Sequence, residues 1–261
     1  MNFIQDFLAT GSGVLVGFTL GLIGGGGSIL AVPLLVYVVG VTSPHVAIGT
    51  SAVAVAVSAL ANLVGHARAQ RVKWRCALVF AAAGTAGAAL GSTFGKQFDG
   101  ERLLTLFGVL MIVIAGLMFW KGDQSGNPDV RLTRSTARHL MPLLIAYGVG
   151  VGALAGFFGI GGGFLVVPGL VAATGMPLIF AIGSSLVSVF AFGMTTATNY
   201  ALSGLIDWVL VACFIGGGLV GGIGGQVLAR KMSEKKRALS TIFAIIVAMV
   251  GAYVVWRGLS A

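Results

Sequence analysis

Acidic residues are scarce: the 261 residues include only 7 Asp and Glu, against 16 Lys and Arg, and charged residues make up 9% of the chain. A soluble domain carries about 25%, because it must present a wet surface. That surface is missing here. The two cysteines, Cys76 and Cys213, fall inside apolar runs and read as small core residues rather than a disulfide or metal pair. No Lys or Arg precedes Arg68, so the cationic region of a signal peptide is lacking and the first apolar run is expected to be retained. No Asp or Glu lies within an apolar run, which removes an internal carboxylate proton relay. No cluster of His, Cys and Glu is spaced to hold a metal or to run hydrolysis. These absences argue against an enzyme, and no cofactor is expected.

What is present is apolar. Hydrophobic residues make up 57% of the chain and mean hydropathy is +1.02. In a bilayer the length suffices for roughly eight segments of about 20 residues with short loops. Apolar segments run at about 7–23, 28–40, 45–66, 75–95, 103–120, 139–158, 163–173, 177–202, 208–229 and 238–256, with charged residues at or beyond their ends. That exclusion is expected where a charge at a helix centre costs roughly 2.5–3.5 kcal/mol on insertion. The net charge of +9 invites a nucleic-acid reading. The basic residues, however, sit in short loops between apolar runs, where they set membrane topology. The expected partners are the lipid bilayer and a small solute, with no nucleic acid. The expected location is the cell inner membrane, crossed several times.

Two apolar segments are too short to cross. A helix over 28–40 spans about 20 Å and one over 163–173 less, against a hydrocarbon core of about 30 Å. Each directly follows a glycine cluster, GGGGS at 24–28 and GIGGG at 159–163. Clustered glycines break a helix, at about 1 kcal/mol per residue. Broken helices or re-entrant hairpins are expected at both places. The polar stretch at 121–138, rich in Gly, Asn, Asp and charge, reads as a linker. It divides the chain into a first membrane unit at 1–121, a cytoplasmic linker at 122–138 and a second membrane unit at 139–261.

The two units repeat one another. GLIGGGGSILAVP (21–33) matches GFFGIGGGFLVVP (156–168), with Gly21, Gly24, Gly26, Gly27 and Pro33 each 135 positions before a counterpart. At an offset of 134, AIGTS (47–51) then matches AIGSS (181–185), Trp74 matches Trp208, and Gly84, Gly87 and Gly91 match Gly218, Gly221 and Gly225. One register held over that length marks a duplication. Equivalent loops carry opposite bias. Arg68, Arg71, Lys73 and Arg75 occupy 67–75, whereas the matching 201–209 holds only Asp207. The loop 96–102 balances Lys96 and Arg102 against Asp99 and Glu101, whereas 230–237 holds five basic residues and Glu234. Basic short loops stay cytoplasmic. Loops 67–75, 121–138 and 230–237 are therefore expected inside, and 96–102, 203–207 and both termini outside, although Arg257 runs against an external C-terminus. The fold expected is an all-α integral membrane protein of two inverted-topology repeats, each with a glycine-broken half-helix. An odd number of crossings per half then requires a half-helix that returns to its own side or completes a second crossing.

The breakers are where a ligand is expected, because unwound backbone in hydrocarbon survives only when buried in protein or lining a cavity. Gly25, Gly26, Gly27 and Ser28 in one half, with Gly161, Gly162 and Gly163 in the other, open half-helices whose first N–H groups lack helical acceptors. Each end carries about half a positive charge. Two such ends form an anion site without a buried Lys or Arg. Thr50, Ser51, Ser184 and Ser185 begin repeat-equivalent helices; their hydroxyls either donate to an oxyanion or bond back to their own helix. Asn62 and His66 share a helical face, and the second half offers Thr195, Thr196, Thr198, Asn199 and Tyr200. Tyr200 aligns with His66. By contrast, Gly17/Gly21, Gly152/Gly156, Gly87/Gly91 and Gly217/Gly221/Gly225 read as helix-packing contacts. His45 reads as a loop residue. A nucleotide loop is excluded, because no Gly-Lys-Ser/Thr continuation follows either cluster.

At these residues the sequence resembles the sulfite exporter TauE/SafE family of membrane permeases. The resemblance rests on the doubled signature GGGGSILAVP and GIGGGFLVVP, each followed by AIGTS or AIGSS, and on the loops ending in Lys73-Trp74 and Asp207-Trp208. It covers about residues 10–256. It implies transport of sulfite, sulfonates or related organic anions, typically outward. An inside-negative potential favours anion exit by about 2.3 kcal/mol per charge per 100 mV, and alternating access would rock one half against the other. Two readings stand beside this one: a carrier of a metal cation or other small solute, with backbone carbonyls as ligands, and a non-transporting membrane assembly partner. No motif encodes the coupling ion or the oligomeric state.

Overall fold

The structure is a computed structural model whose described residues are 3–120, 134–231 and 236–260. Among them every regular element is helical: α1 (Phe3–Ile23), a tight segment of 3-10 helix (Gly24–Leu30), one α turn α2 (Ala31–Pro33) and one π turn (Leu34–Val38), then α3 (Pro44–Arg68), α4 (Trp74–Gln97), α5 (Gly100–Trp120), α6 (Arg134–Phe158), α7 (Gly163–Thr174), α8 (Leu178–Ala201), α9 (Trp208–Lys231) and α10 (Lys236–Ser260). Six helices are long and apolar enough to cross a membrane: those containing 44–68, 74–97, 100–117, 136–158, 178–201 and 208–228. Large apolar side chains such as Phe94, Val220 and Ile223 stand more than half exposed on the outer faces, as lipid-facing residues do. Of the expected linker, 121–133 fall outside the described residues, and α6 already starts at Arg134.

Helix boundaries follow local chemistry. Pro44 opens α3 at its first turn, where a missing N–H costs nothing. Asp99 accepts from the N–H groups of Glu101 and Arg102 at 3.1 and 3.0 Å, and Asp207 accepts from those of Val209 and Leu210 at 3.0 and 3.1 Å. Both carboxylates satisfy donors that a helix start leaves open. Gly175, at φ +68°, ends α7, with its N–H on the Val171 carbonyl, the left-handed glycine stop.

Both glycine clusters fold the chain back on itself. The Cα of Gly27 lies so close to α1 that a side chain there would strike the backbone of Leu20 and Thr19, and the Thr19 hydroxyl lies 3.4 Å from the Gly27 carbonyl. In the second half Gly162 sits on Ala155 and Gly169 on Val151, so α7 runs back along α6. Of the two expectations for the breakers, this is the hairpin: a helix followed by a half-helix antiparallel to it.

Around the hairpins the long helices pair by close glycine contact. Gly13, Gly17 and Gly21 of α1 lie on Phe214, Gly218 and Gly222 of α9, in ascending order on both helices, while Gly217, Gly221 and Gly225 lie on Thr10, Val14 and Phe18. Gly84, Gly87, Gly91 and Gly95 of α4 meet Gly148, Val149, Ala153 and Phe157 of α6 in the same sense. Both pairs are parallel and interleaved, the approach that small residues at four-residue spacing permit. The packing role expected of these glycines is their role. α3 and α8 cross antiparallel, with Gly49 against Tyr200 and Gly193 against Ala52 and Ala56. α5 and α10 are also antiparallel, with Gly108 beside Gly251 and Gly258 beside Thr105.

These contacts define two ends. One end gathers the starts of α3, α5 and α9 and the finish of α4 and α8, joined by His45 to the Phe98 carbonyl at 3.1 Å and by the Asp207 N–H to the Thr50 hydroxyl at 3.1 Å. The other gathers the α3–α4 loop and the start of α8, joined by the Lys73 N–H to the Ser184 hydroxyl at 2.9 Å. Loops 69–73 and 202–207 therefore lie at opposite ends of the bundle.

Candidate functional site

The breakers meet the long helices at the α3/α8 crossing. Gly161 lies 3.1 Å from Val55 and 3.6 Å from Val189 when a Cβ is placed on it, near the midpoints of α3 and α8, and Gly162 comes within 3.3 Å of Phe192. Gly159, Gly161 and Gly162 adopt φ of +67°, +64° and +71°, which only glycine takes without strain. α7 then begins at Gly163 with no side-chain cap. Gly26, Gly27, Ser28, Gly161, Gly162 and Gly163 are all buried, and the first half-helix touches α7, α8 and α3. The surroundings of Gly25 lie outside the described residues. Half-helix starts thus sit inside protein rather than in lipid, the setting in which unsatisfied amides are tolerated.

The hydroxyls at the starts of α3 and α8 work as a matched pair of straps. Thr50 accepts from the N–H of Asp207, and Ser184 accepts from the N–H of Lys73. Each ties its helix to the loop before the Trp-initiated helix of the other half. Ser51 and Ser185 donate to the carbonyls of Ile48 and Ile182 at 2.9 and 2.8 Å, the local back-bonding alternative.

The remaining polar candidates do not form one cluster. Because α3 and α8 run antiparallel, Asn62 and His66 lie at one end while their counterparts Thr196 and Tyr200 lie at the other. Asn62 donates to the Ser58 carbonyl at 2.8 Å and accepts from Gln226 of α9 at 2.6 Å; His66 is half-buried nearby. Asn199 instead donates to Ser92 and Thr93 of α4 at 2.7 and 3.0 Å. It also receives the ammonium of Lys96, 2.7 Å from its side-chain oxygen and 3.0 Å from its carbonyl. Beside it a shallow groove of about 480 Å³ opens between α4 and α8, lined by Ala89, Thr93, Thr195, Thr198, Asn199 and Leu202. Thr196 and Tyr200 are fully buried, and neither hydroxyl has a hydrogen-bond partner.

Sequence reasoning missed Lys96, Ser188 and the position of His45. Lys96 belonged to a charge-balanced loop, and only the fold turns it toward Asn199. His45 lies in the first turn of α3, its ring 6.4 Å from that of Tyr200; the preceding Ser-Pro pair was the available signal, since Pro favours the first helical position.

A helical bundle with six helices long and apolar enough to cross a membrane, and glycine-broken hairpins packed among them, fits a membrane transport protein. The chain belongs to the sulfite exporter TauE/SafE family, whose sequence profile matches residues 9–254. It is 52% identical over 255 residues to a protein of Xylella fastidiosa (strain 9a5c) named probable membrane transporter protein, covering 97% of both chains. It is 27% identical over 270 residues to the probable membrane transporter protein YunE of Bacillus subtilis (strain 168), covering 95% of this chain and 96% of that one. No solved structure matches. The protein is a membrane transporter and not an enzyme.

Proposed function

We propose that the protein exports small anions such as sulfite, sulfonates or related organic anions from the cytoplasm across the cell inner membrane, by alternating access around a site between two inverted-topology repeats. The observation that carries this reading is the pair of buried breakers at the α3/α8 crossing. Their half-helix ends offer amide donors and partial positive charge, and no acidic side chain occurs in the apolar segments to oppose an anion. A metal cation would find no carboxylate there to hold it.

Support for inversion comes from two independent sources. Equivalent loops carry opposite charge bias, and equivalent helices pair as a twofold axis in the membrane plane requires. α3 packs antiparallel on its own counterpart α8, α5 does so on α10, and the α1–α9 pair is matched by the α6–α4 pair. In such carriers one repeat rocks against the other about the discontinuous helices. The basic loops at 67–75 and 230–237 support a cytoplasmic position for the Lys73–Ser184 end. The Asn199–Lys96 end then faces outward.

The test is uptake and counterflow of labelled sulfite and two-carbon sulfonates by protein in liposomes, under imposed voltage and pH gradients. Saturable anion flux that follows the potential is expected. Flux of a divalent cation with no anion flux would transfer the protein to the other class of carrier.

A further inference from the structure

We propose that the side of α8 bearing Ser188, Thr196 and Tyr200 lines the path by which the anion leaves the centre, and that Lys96 is the cation at its mouth. This rests on the anion reading for its substrate, and it names residues that reading does not use. Three hydroxyls in one helix, at 188, 196 and 200, are each 0% exposed and have no hydrogen-bond partner. At 100° per residue they fall within a third of the helix circumference. An unsatisfied buried hydroxyl costs about 1–3 kcal/mol, and native interiors keep few of them. Three on one side of a single helix are accounted for when a polar guest passes along it.

The positions order themselves along the bundle. Ser188 adjoins Val189, against which Gly161 of the second breaker packs. Phe192 follows, fully buried, stacked on Phe80 with ring centroids 6.4 Å apart and closing on Gly162. Thr196 lies one turn beyond and Tyr200 one turn further. There the Lys96 ammonium stands 6.0 Å from the Tyr200 ring centroid. All three of its bonds go to neutral oxygens, two of Asn199 and the Ser203 hydroxyl at 2.8 Å. Of the carboxylates in the adjoining turns, Asp99 and Asp207 accept from N–H groups at helix starts, and Glu101 stands in the first turn of α5. Among the described residues this ammonium bonds only neutral oxygens. A small oxyanion fits this sequence of groups: hydroxyl donors along the way, an aromatic ring between the first and second, and an ammonium at the exit.

Isosteric replacements separate this role from a structural one. A hydroxyl without a partner gives the fold no hydrogen bond and carries a desolvation cost, so Thr196→Val and Tyr200→Phe are expected to unfold no earlier than wild type. In sulfite counterflow each should nevertheless raise the half-saturating concentration about tenfold, the loss of one hydrogen bond to a charged group. Lys96→Met should do the same, and Lys96→Arg, which keeps the charge, should recover most of the loss. Flux in wild type with unchanged half-saturation in all three uncharged variants would overturn the path and leave anion transport standing. Should wild type carry no sulfite flux, equilibrium binding of sulfite to the detergent-purified protein decides. Binding weakened about tenfold by Lys96→Met and by Tyr200→Phe upholds the α8 site without the transport reading, and binding that is absent or indifferent to both variants overturns it.

Discussion

The two glycine breakers carry similar sequences, GGGGS and GIGGG, and solve the same problem differently. At 24–30 the chain tightens into 3-10 helix and continues through one α turn and a π turn, the last following Pro33, which has no N–H to give to the α ladder. At 159–162 three left-handed glycines turn the chain outright, and α7 then runs as regular α-helix despite Pro168. The clusters differ at two positions, Ile160 for Gly25 and Gly163 for Ser28. Ile160 is 1% exposed and its N–H bonds to the Ala155 carbonyl at 3.2 Å, so a buried side chain anchors the second turn, whereas the first has glycine there. The comparison teaches that glycine is required for two separate reasons. In the first breaker it permits a close approach, Gly27 against the backbone of α1. In the second it permits a left-handed backbone conformation, with close contacts of Gly159 on Ile48 and Gly162 on Ala155 besides.

Substitutions sharpen this distinction. Gly27→Leu drives bulk into backbone that cannot give way and should cost about 3 kcal/mol or more, seen as loss of monodisperse protein after extraction. A stable Gly27→Leu protein would break the comparison on the first side. Gly162→Ala combines left-handed strain with a clash on Ala155 and should cost about 2–3 kcal/mol in thermal unfolding. Gly161→Ala carries the strain with milder contact and should cost about 1–2 kcal/mol. Gly161→Asn should cost less than Gly161→Ala, since Asn tolerates that region; the reverse order would show that space, not φ, governs the second breaker. Thr50→Val and Ser184→Ala each remove the acceptor for one loop N–H and should cost about 1–2 kcal/mol apiece. Nearly equal costs are expected, because the straps remain equivalent where the breakers do not. Gly216→Ala, on a helical position with open space around it, should stabilise by about 0.5–1 kcal/mol and marks the smallest effect.

Much of the architecture was legible because lipid imposes simple rules. Apolar length gave the helices, the shortness of 28–40 and 163–173 gave the half-helices, and four-residue glycine spacing gave the α1–α9 and α4–α6 contacts. The site was legible only in part. Thr50 and Ser184 were expected either to donate to a ligand or to bond back to their own helix; the fold adds a role as acceptors for Asp207 and Lys73, partners that lie far away in sequence. The same holds for Lys96 and Asn199, more than a hundred positions apart. Asn62/His66 and Thr196/Tyr200 aligned as equivalents, yet antiparallel packing of α3 on α8 separates them to opposite ends. The contrast between the breakers was beyond pattern reading altogether, because the sign of φ at Gly161 and Gly162 depends on what the returning helix packs against.

In the proposed mechanism the halves enter the membrane in opposite senses around those breakers. That insertion is tested by placing single cysteines at Ala69 and Leu202, both exposed, in protein whose Cys76 and Cys213 have been replaced, and labelling intact cells with a membrane-impermeant maleimide. Labelling of Leu202→Cys from outside, with Ala69→Cys reacting only after the membrane is opened, is expected of oppositely inserted halves. Reaction of both from the same side would contradict it.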